Sequence, residues 1–182
     1  HLHAAFAVEW GRDGLAWTGV AWRSLGTTLT LAAAAALPTA LLGLLMAWIL
    51  SRTEFRGRGL FEFGALLAFA IPGTVLGVSY ILAFNVPPFE LTGSALVIVL
   101  CFLFRNLPLG LLAGTAALGQ IDRSLDEASI MLRASTAQTL WHAVLPLVRP
   151  ALVAALLYSF VRSITTGSAV IFLVTAEHEL AT

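Results

Sequence analysis

The sequence predicts an all-α membrane protein, a polytopic bundle of transmembrane helices. Of its 182 residues, 59% are hydrophobic and only 11% are charged, and the mean hydropathy is +0.91, which is typical of a chain whose main solvent is lipid. Four apolar stretches also approach or exceed the roughly 20 residues that a helix needs to cross the hydrocarbon layer. We expect these transmembrane spans at about residues 27–50, 60–84, 94–118 and 147–174.

The segment before the first span, residues 1–26, is predicted to be external or interfacial. Trp17, Trp22 and Arg23 are residue types that favour the headgroup region of a bilayer. The first span is too long, and follows too polar a segment, to be a cleavable signal. The chain starts without methionine and stops soon after the fourth span, so we expect a fragment of a longer polypeptide, such as one half of a fused two-module protein.

The arginines indicate the orientation of the spans. One group follows the first span and another lies in or beside residues 119–146, and arginine-rich loops stay in the cytoplasm. The remaining loops are poor in arginine, which places the amino terminus outside. The formal net charge is zero and gives no indication of nucleic-acid binding. The cytoplasmic arginines are Arg52, Arg56, Arg58, Arg123, Arg133 and Arg149.

The predicted cytoplasmic segment, residues 119–146, has signals for two short helices joined by a bend. Ser124 with Glu127, and Ser135 with Gln138, each have the spacing of a capping box. Pro146 is expected to restart the chain as it enters the fourth span. The segment is more apolar than a solvated loop, so it either docks a partner protein or packs beneath its own spans.

These residues resemble the motif of a known family. Inner-membrane permease subunits of ATP-binding-cassette importers carry Glu-Ala-Ala, three residues, Gly, nine residues, Ile, one residue and Leu-Pro in a cytoplasmic loop. The chain has Glu127, Ala128, Leu145 and Pro146 at that spacing, with Ser129 in place of the second alanine. The similarity extends from about residue 27 to residue 182.

Two positions depart from the family motif. Arg133 stands where the family has glycine, and Ala143 stands where it has isoleucine. Glycine at a bend permits left-handed backbone angles, which cost arginine of order 1 kcal/mol. We therefore expect either an altered bend or weakened docking. Within the family, the chain is most similar to the ferric-iron and phosphonate branch, through residues 104–108, 120–127 and 168–174.

The resemblance implies a multi-pass permease subunit of an ATP-driven importer in the bacterial inner membrane. Ferric iron is the expected substrate, and phosphonate or another small solute is the alternative. The implied partners are cytoplasmic ATP-binding subunits, a second permease module, an external solute-binding protein and membrane lipid, with no nucleic acid. ATP and Mg²⁺ would be bound by the partner ATPase, so the chain itself is expected to need no cofactor and to catalyse no reaction. The implied ATPase-coupling residues are Asp126, Glu127, Ala128, Ser129, Arg133, Ala134, Leu145 and Pro146.

Charges and breaks inside the spans indicate candidate pathway residues. An arginine at a helix centre costs about 3 kcal/mol on insertion scales, so two such arginines should face the bundle or water. They either attract an anionic substrate, or an anion carried with a metal, or bond to carbonyls freed near prolines. Unwound backbone is likewise tolerated at membrane depth only against protein or a water-filled cavity. The candidates are Pro72, Gly73, Arg105, Arg162, Thr166 and Gly167.

Other classes of membrane protein explain less of the sequence. A secondary transporter or a channel accounts for the spans and the buried arginines but leaves the Glu-Ala-Ser and Leu-Pro spacing accidental. A membrane-embedded enzyme is disfavoured because no span contains a histidine or a pair of aspartates. Neither the four histidines nor the single cysteine, Cys101, forms a pattern typical of a metal site or a disulfide. We interpret Cys101 as a packing residue.

Overall fold

The computed structural model describes residues 8–11, 14–17, 20–87, 91, 93–122, 124–166 and 173. A short antiparallel hairpin, β1 (Val8–Gly11) with β2 (Gly14–Trp17), precedes the helices. The helices that follow are α1 (Val20–Arg52), α2 (Arg58–Ala70), α3 (Gly73–Phe84), α4 (Ala95–Leu118), α5 (Ser124–Met131), α6 (Thr136–Thr139), a π-helical turn (Leu140–Val144) and α7 (Leu145–Thr165). The prediction of an all-helical membrane fold is confirmed apart from this hairpin.

Among the described residues, three helical runs are long and apolar enough to cross a membrane, and a broken pair of helices would make a fourth. The first run begins earlier than predicted, since α1 already starts at Val20. The third agrees with its predicted bounds to within one residue. The predicted fourth span continues to residue 174, but residues 167–172 and 174 lie outside the described residues.

The predicted second span, residues 60–84, is two helices and not one. α2 ends at Ala70, and α3 starts at Gly73 with Pro72 as its N-cap residue at φ −57° and ψ 141°. These extended angles at Pro72 interrupt the helical ladder, and proline has no amide hydrogen to restore it. A helix break at Pro72 and Gly73 is therefore confirmed. Pro108 behaves differently, since α4 continues through it without interruption.

The fourth long run contradicts the expectation that the chain restarts at Pro146. Residues Thr136–Thr165 form one continuous helical run that includes α6, the π-helical turn and α7. The Leu145 amide donates to the carbonyl of Leu140, five residues earlier. Proline at 146 removes the amide that an α-helix would bond to the His142 carbonyl, and a π turn is one way for a helix to continue past such a defect.

The described chain divides into two compact units. Unit 1 comprises residues 1–35, 71–102 and 161–182, and unit 2 comprises residues 36–70 and 103–160. The core of unit 1 contains Cys101, which is buried and supports its interpretation as a packing residue. The buried residues of this core are Leu31, Ala35, Val97, Ile98, Cys101, Phe102 and Leu173. The core of unit 2 consists of Leu44, Ala47, Leu50, Leu111, Leu118, Val144 and Val148.

Small residues bring α1 and α4 into backbone contact inside unit 2. A Cβ atom added to Gly43 would lie 2.5 Å from the Cα of Gly110, which is closer than any side chain permits. One turn further along, a Cβ on Gly114 would lie 2.6 Å from the Cβ of Ala47. Contacts of this kind hold helices together in lipid, where the hydrophobic effect provides no attraction between them.

We predict that Gly43→Ala lowers the free energy of unfolding by about 1–3 kcal/mol, because the added methyl group forces α1 away from α4. Gly64→Ala is the matched control, since a Cβ there meets no atom within 4 Å. Thermal unfolding of the purified protein in detergent measures both. Equal effects of the two substitutions would contradict this account of the helix contact.

Candidate functional site

The candidate site is the helical hairpin of residues 124–144. It is distinct from the β1–β2 hairpin and is called the hairpin from here on. It begins differently from the sequence prediction. Ser124 is the first residue of α5, and its amide donates to Oδ1 of Asp122 at 2.9 Å. The expected capping box, with the Ser124 hydroxyl as acceptor, is thus replaced by an Asp122 carboxylate at the helix start. The Ser124 amide and hydroxyl hold the pKa of Asp122 below its usual value, with a smaller contribution from Arg52.

The bend of the hairpin is a Schellman motif with arginine at the left-handed position. Arg133 has φ 54°, and among the described residues it is the only residue other than glycine with a positive φ. The Arg133 amide donates to the Ile130 carbonyl at 2.9 Å, and the Ala134 amide donates to the Ser129 carbonyl at 3.0 Å. These two hydrogen bonds define the motif, in which glycine is the usual residue at the left-handed position. The chain therefore keeps the bend that a glycine would favour, although arginine occupies the position.

The second arm of the hairpin begins with the predicted capping box. The Gln138 amide donates to the Ser135 hydroxyl at 3.3 Å, and the Ser135 amide donates to Oε1 of Gln138 at 2.8 Å. This reciprocal pair satisfies two amides that have no partner within the helix. The prediction for Ser135 and Gln138 is confirmed, and it fixes the point at which the long helical run begins.

An ion pair attaches the hairpin to the end of α1 within unit 2. Nε of Arg52 lies 3.1 Å from Oδ2 of Asp126, and Nη2 of Arg52 donates to the Ile121 carbonyl at 3.2 Å. The side chain of Arg52 is 9% exposed and that of Asp126 is 26% exposed. The assignment of Asp126 as an ATPase-coupling residue stays a prediction, and its side chain contacts Arg52 of the same chain.

A cavity of about 280 Å³ adjoins this ion pair. It is lined by residues of α1 and of the hairpin, and it is partly polar because three threonines contribute to it. Nε1 of Trp48, on its α1 side, is buried without a hydrogen-bond partner in the described part of the chain. The lining residues are Trp48, Arg52, Thr53, Asp126, Ile130, Ala134, Thr136 and Thr139.

Several large apolar side chains of the hairpin are exposed. Met131 is 85% exposed, Leu132 82%, Ile130 72% and Trp141 64%. Glu127 and Ala128 are also exposed. The remaining predicted coupling residues are less uniform. Ser129 and Ala134 are half-buried, Leu145 packs against the core of unit 2, and Pro146 is exposed.

The predicted pathway residues are divided between the two units. In unit 2, Nε and Nη1 of Arg105 are buried with no hydrogen-bond partner among the described residues. One of the two hypotheses for Arg105 was that it bonds to carbonyls freed near a proline. These two nitrogens do not make such a bond. In unit 1, Gly73 and Thr166 are buried, whereas Pro72 and Arg162 are exposed. Gly167 lies outside the described residues.

Sequence reasoning missed the structural role of Arg52, which was used only to orient the spans. The local signal was an arginine in the last turn of a helix, a position where a cation is favoured by the helix dipole. Its partner Asp126 lies 74 positions later, and nothing in the sequence connects the two. Asp122 was missed as the acceptor at the start of α5.

Comparison with known proteins identifies the family. Residues 39–178 match the family described as "Binding-protein-dependent transport system inner membrane component". The chain belongs to this family. It is thus a multi-pass component of the bacterial inner membrane, and the resemblance inferred from the Glu127 to Pro146 spacing is confirmed.

Individual permeases show the same relationship. The chain is 47% identical over 193 residues to the ferric transport system permease protein FbpB of Actinobacillus pleuropneumoniae, covering 100% of this chain and 28% of that protein. It is 47% identical to a putative ferric transport system permease protein FbpB 1 of Haemophilus influenzae, covering 97% of this chain and 30% of that protein. A sulfate transport system permease protein CysT of Escherichia coli is 34% identical over 156 residues, covering 80% of this chain and 56% of that protein. The chain spans less than a third of the two ferric permeases.

We predict that Arg133→Gly raises the free energy of unfolding of the permease by about 1 kcal/mol, because glycine relieves the left-handed strain at this position. Arg133→Ala is the control, since it removes the charge but keeps the Cβ atom that causes the strain. The thermal unfolding midpoint in detergent measures both. An equal gain from the alanine variant would assign the effect to charge and refute the strain.

Proposed function

We propose that the chain is part of the permease subunit of an ATP-driven importer, and that the hairpin is the surface to which a cytoplasmic ATPase subunit docks. The single observation that carries this proposal is the exposure of Ile130, Met131 and Leu132 at the bend of the hairpin, close in sequence to an exposed Glu127, in a segment that matches the family. A permanently solvated loop has no reason to expose so much apolar surface, whereas a docking surface does. ATP and Mg²⁺ would then be bound by the ATPase and not by this chain.

The proposed substrate is ferric iron. The supporting comparison is the identity of 47% to the two ferric permeases, against 34% to the sulfate permease of Escherichia coli. The other partners would be a second permease module and an external solute-binding protein, as expected for a binding-protein-dependent system. Uptake of labelled ferric iron and labelled sulfate by cells that express the whole transporter distinguishes the two substrates.

The proposed pathway includes Arg105, Arg162 and the interrupted backbone at Pro72, Gly73, Thr166 and Gly167. Arg105 is the best supported, because two buried guanidinium nitrogens that lack a partner among the described residues are unfavourable unless an anion or water reaches them. A transported anion, or an anion that accompanies a metal ion, would supply that partner. The route would therefore carry positive potential near Arg105.

The docking proposal is tested by Glu127→Arg. We expect the amount of ATPase that co-purifies with the permease, and the rate of uptake, to fall about tenfold or more, as for loss of a central interface residue. Glu54→Arg is the matched control, because it makes the same substitution at another exposed glutamate in the arginine-rich loop after α1. Unchanged recruitment and uptake in the Glu127 variant would exclude this docking surface.

The pathway proposal is tested by Arg105→Gln, which removes the charge and keeps much of the side-chain volume. We expect uptake to fall much further than the amount of permease in the membrane. Uptake normalised to the membrane level of the protein is the measurement. If the two fall in parallel, Arg105 is a packing residue and does not line the route.

A further inference from the structure

We infer that Arg52 is a positioning residue for transport: its contacts with the hairpin pass the displacement of that hairpin by a docked ATPase to α1. The inference rests on the proposed function, because it requires a partner that moves the hairpin. It goes beyond docking, because the Arg52 side chain contacts Asp126 and Ile121 of its own chain.

The geometry gives Arg52 a two-point attachment. Its Nε forms an ion pair with the carboxylate of Asp126 in the first turn of α5. Its Nη2 donates to the carbonyl of Ile121, in the segment that leads into α5. The two contacts hold the first turn of α5 and the segment just before it against the end of α1. A tilt of α5 therefore pulls directly on the end of α1.

Burial makes the loss of one partner more costly here than in an ordinary surface ion pair. The Arg52 side chain is only 9% exposed, and the Asp126 side chain is 26% exposed. Charge pairs in such surroundings are screened little by salt, and removing one partner leaves the other charge buried and uncompensated. The adjacent cavity of about 280 Å³ separates α1 from part of the hairpin. Val144, at the end of the second arm, packs in the core of unit 2 with Leu44 and Leu50 of α1, whereas Arg52 makes the polar contact with α5.

From Arg52 the path continues into unit 2 through rigid elements. α1 is a hydrogen-bonded helix, and two and a half turns before Arg52 its Gly43 is in backbone contact with Gly110 of α4. Backbone contacts of this kind cannot yield as flexible side chains can. The end of α1 and α4 should therefore move together when Arg52 is pulled.

Two neighbouring residues of the hairpin have different roles in this scheme: Glu127 docks the partner, and Asp126 contacts Arg52. Glu127 is exposed, and Asp126, one residue earlier, is half-buried against Arg52. Successive helical residues point about 100° apart, so one short helix presents one face to the partner and another to α1. Loss of the inner contact should leave docking intact.

The test uses the whole transporter, with its ATPase and solute-binding protein, reconstituted in lipid vesicles. We expect Arg52→Gln and Asp126→Asn each to lower the amount of solute taken up per ATP hydrolysed about fivefold or more, with ATPase co-purification unchanged. The double variant should be no worse than either single variant, because both remove the same pair. Arg52→Lys, which keeps the charge, should recover part of the loss. Arg56→Gln is the matched control, since Arg56 is an exposed arginine four residues later.

The other outcomes are equally decisive. Unchanged uptake per ATP in the Arg52→Gln and Asp126→Asn variants overturns the inference. Loss of ATPase co-purification in these variants also overturns it, because Arg52 would then act on docking. If neither variant accumulates in the membrane, the pair is structural and the inference fails. If the unaltered permease does not bind an ATPase, it is the proposed function that fails.

Discussion

The backbone contact between α1 and α4 at Gly43 and Gly110 is the interaction on which unit 2 depends. In lipid, moving an apolar side chain from lipid to a helix interface gains no hydrophobic free energy. Helices therefore associate where small residues allow close approach. This contact fixes α1 beside α4 and thereby sets the position of Arg52, which lies about 13 Å further along the helix at 1.5 Å per residue. The ion pair with Asp126 can form because that position is fixed. The helix that Arg52 links to the hairpin is thus itself held by a glycine contact.

The parts of the fold that depend on local chemistry could be predicted from the sequence. Composition and span length are sufficient to predict membrane helices, because lipid forces the backbone to satisfy its own hydrogen bonds. The capping box of Ser135 and Gln138 follows from their spacing alone. The need for a left-handed residue at position 133 follows from the family's glycine, and the structure shows that the arginine adopts it.

The remaining features depend on packing that no local pattern contains. Pro72 interrupts its helix while Pro108 is carried inside α4, although both are prolines in apolar stretches. The two prolines also differ in burial, since Pro108 is buried and Pro72 is exposed. The pair of Arg52 and Asp126 likewise depends on the register of α1 against the hairpin. A one-residue change in that register would turn Arg52 about 100° away, and the sequence does not specify it.

Arg133 connects the local and the long-range features. A left-handed arginine costs of order 1 kcal/mol, yet the bend is retained because its two hydrogen bonds, to Ile130 and Ser129, are each worth about as much. A relaxed bend would break these bonds and redirect the second arm of the hairpin. It would also move α5 relative to the rest of the hairpin and alter the direction in which Asp126 meets Arg52. The strain at Arg133 is therefore sustained by the same geometry that brings the carboxylate to α1, and the proposed docking and transmission would both depend on this bend.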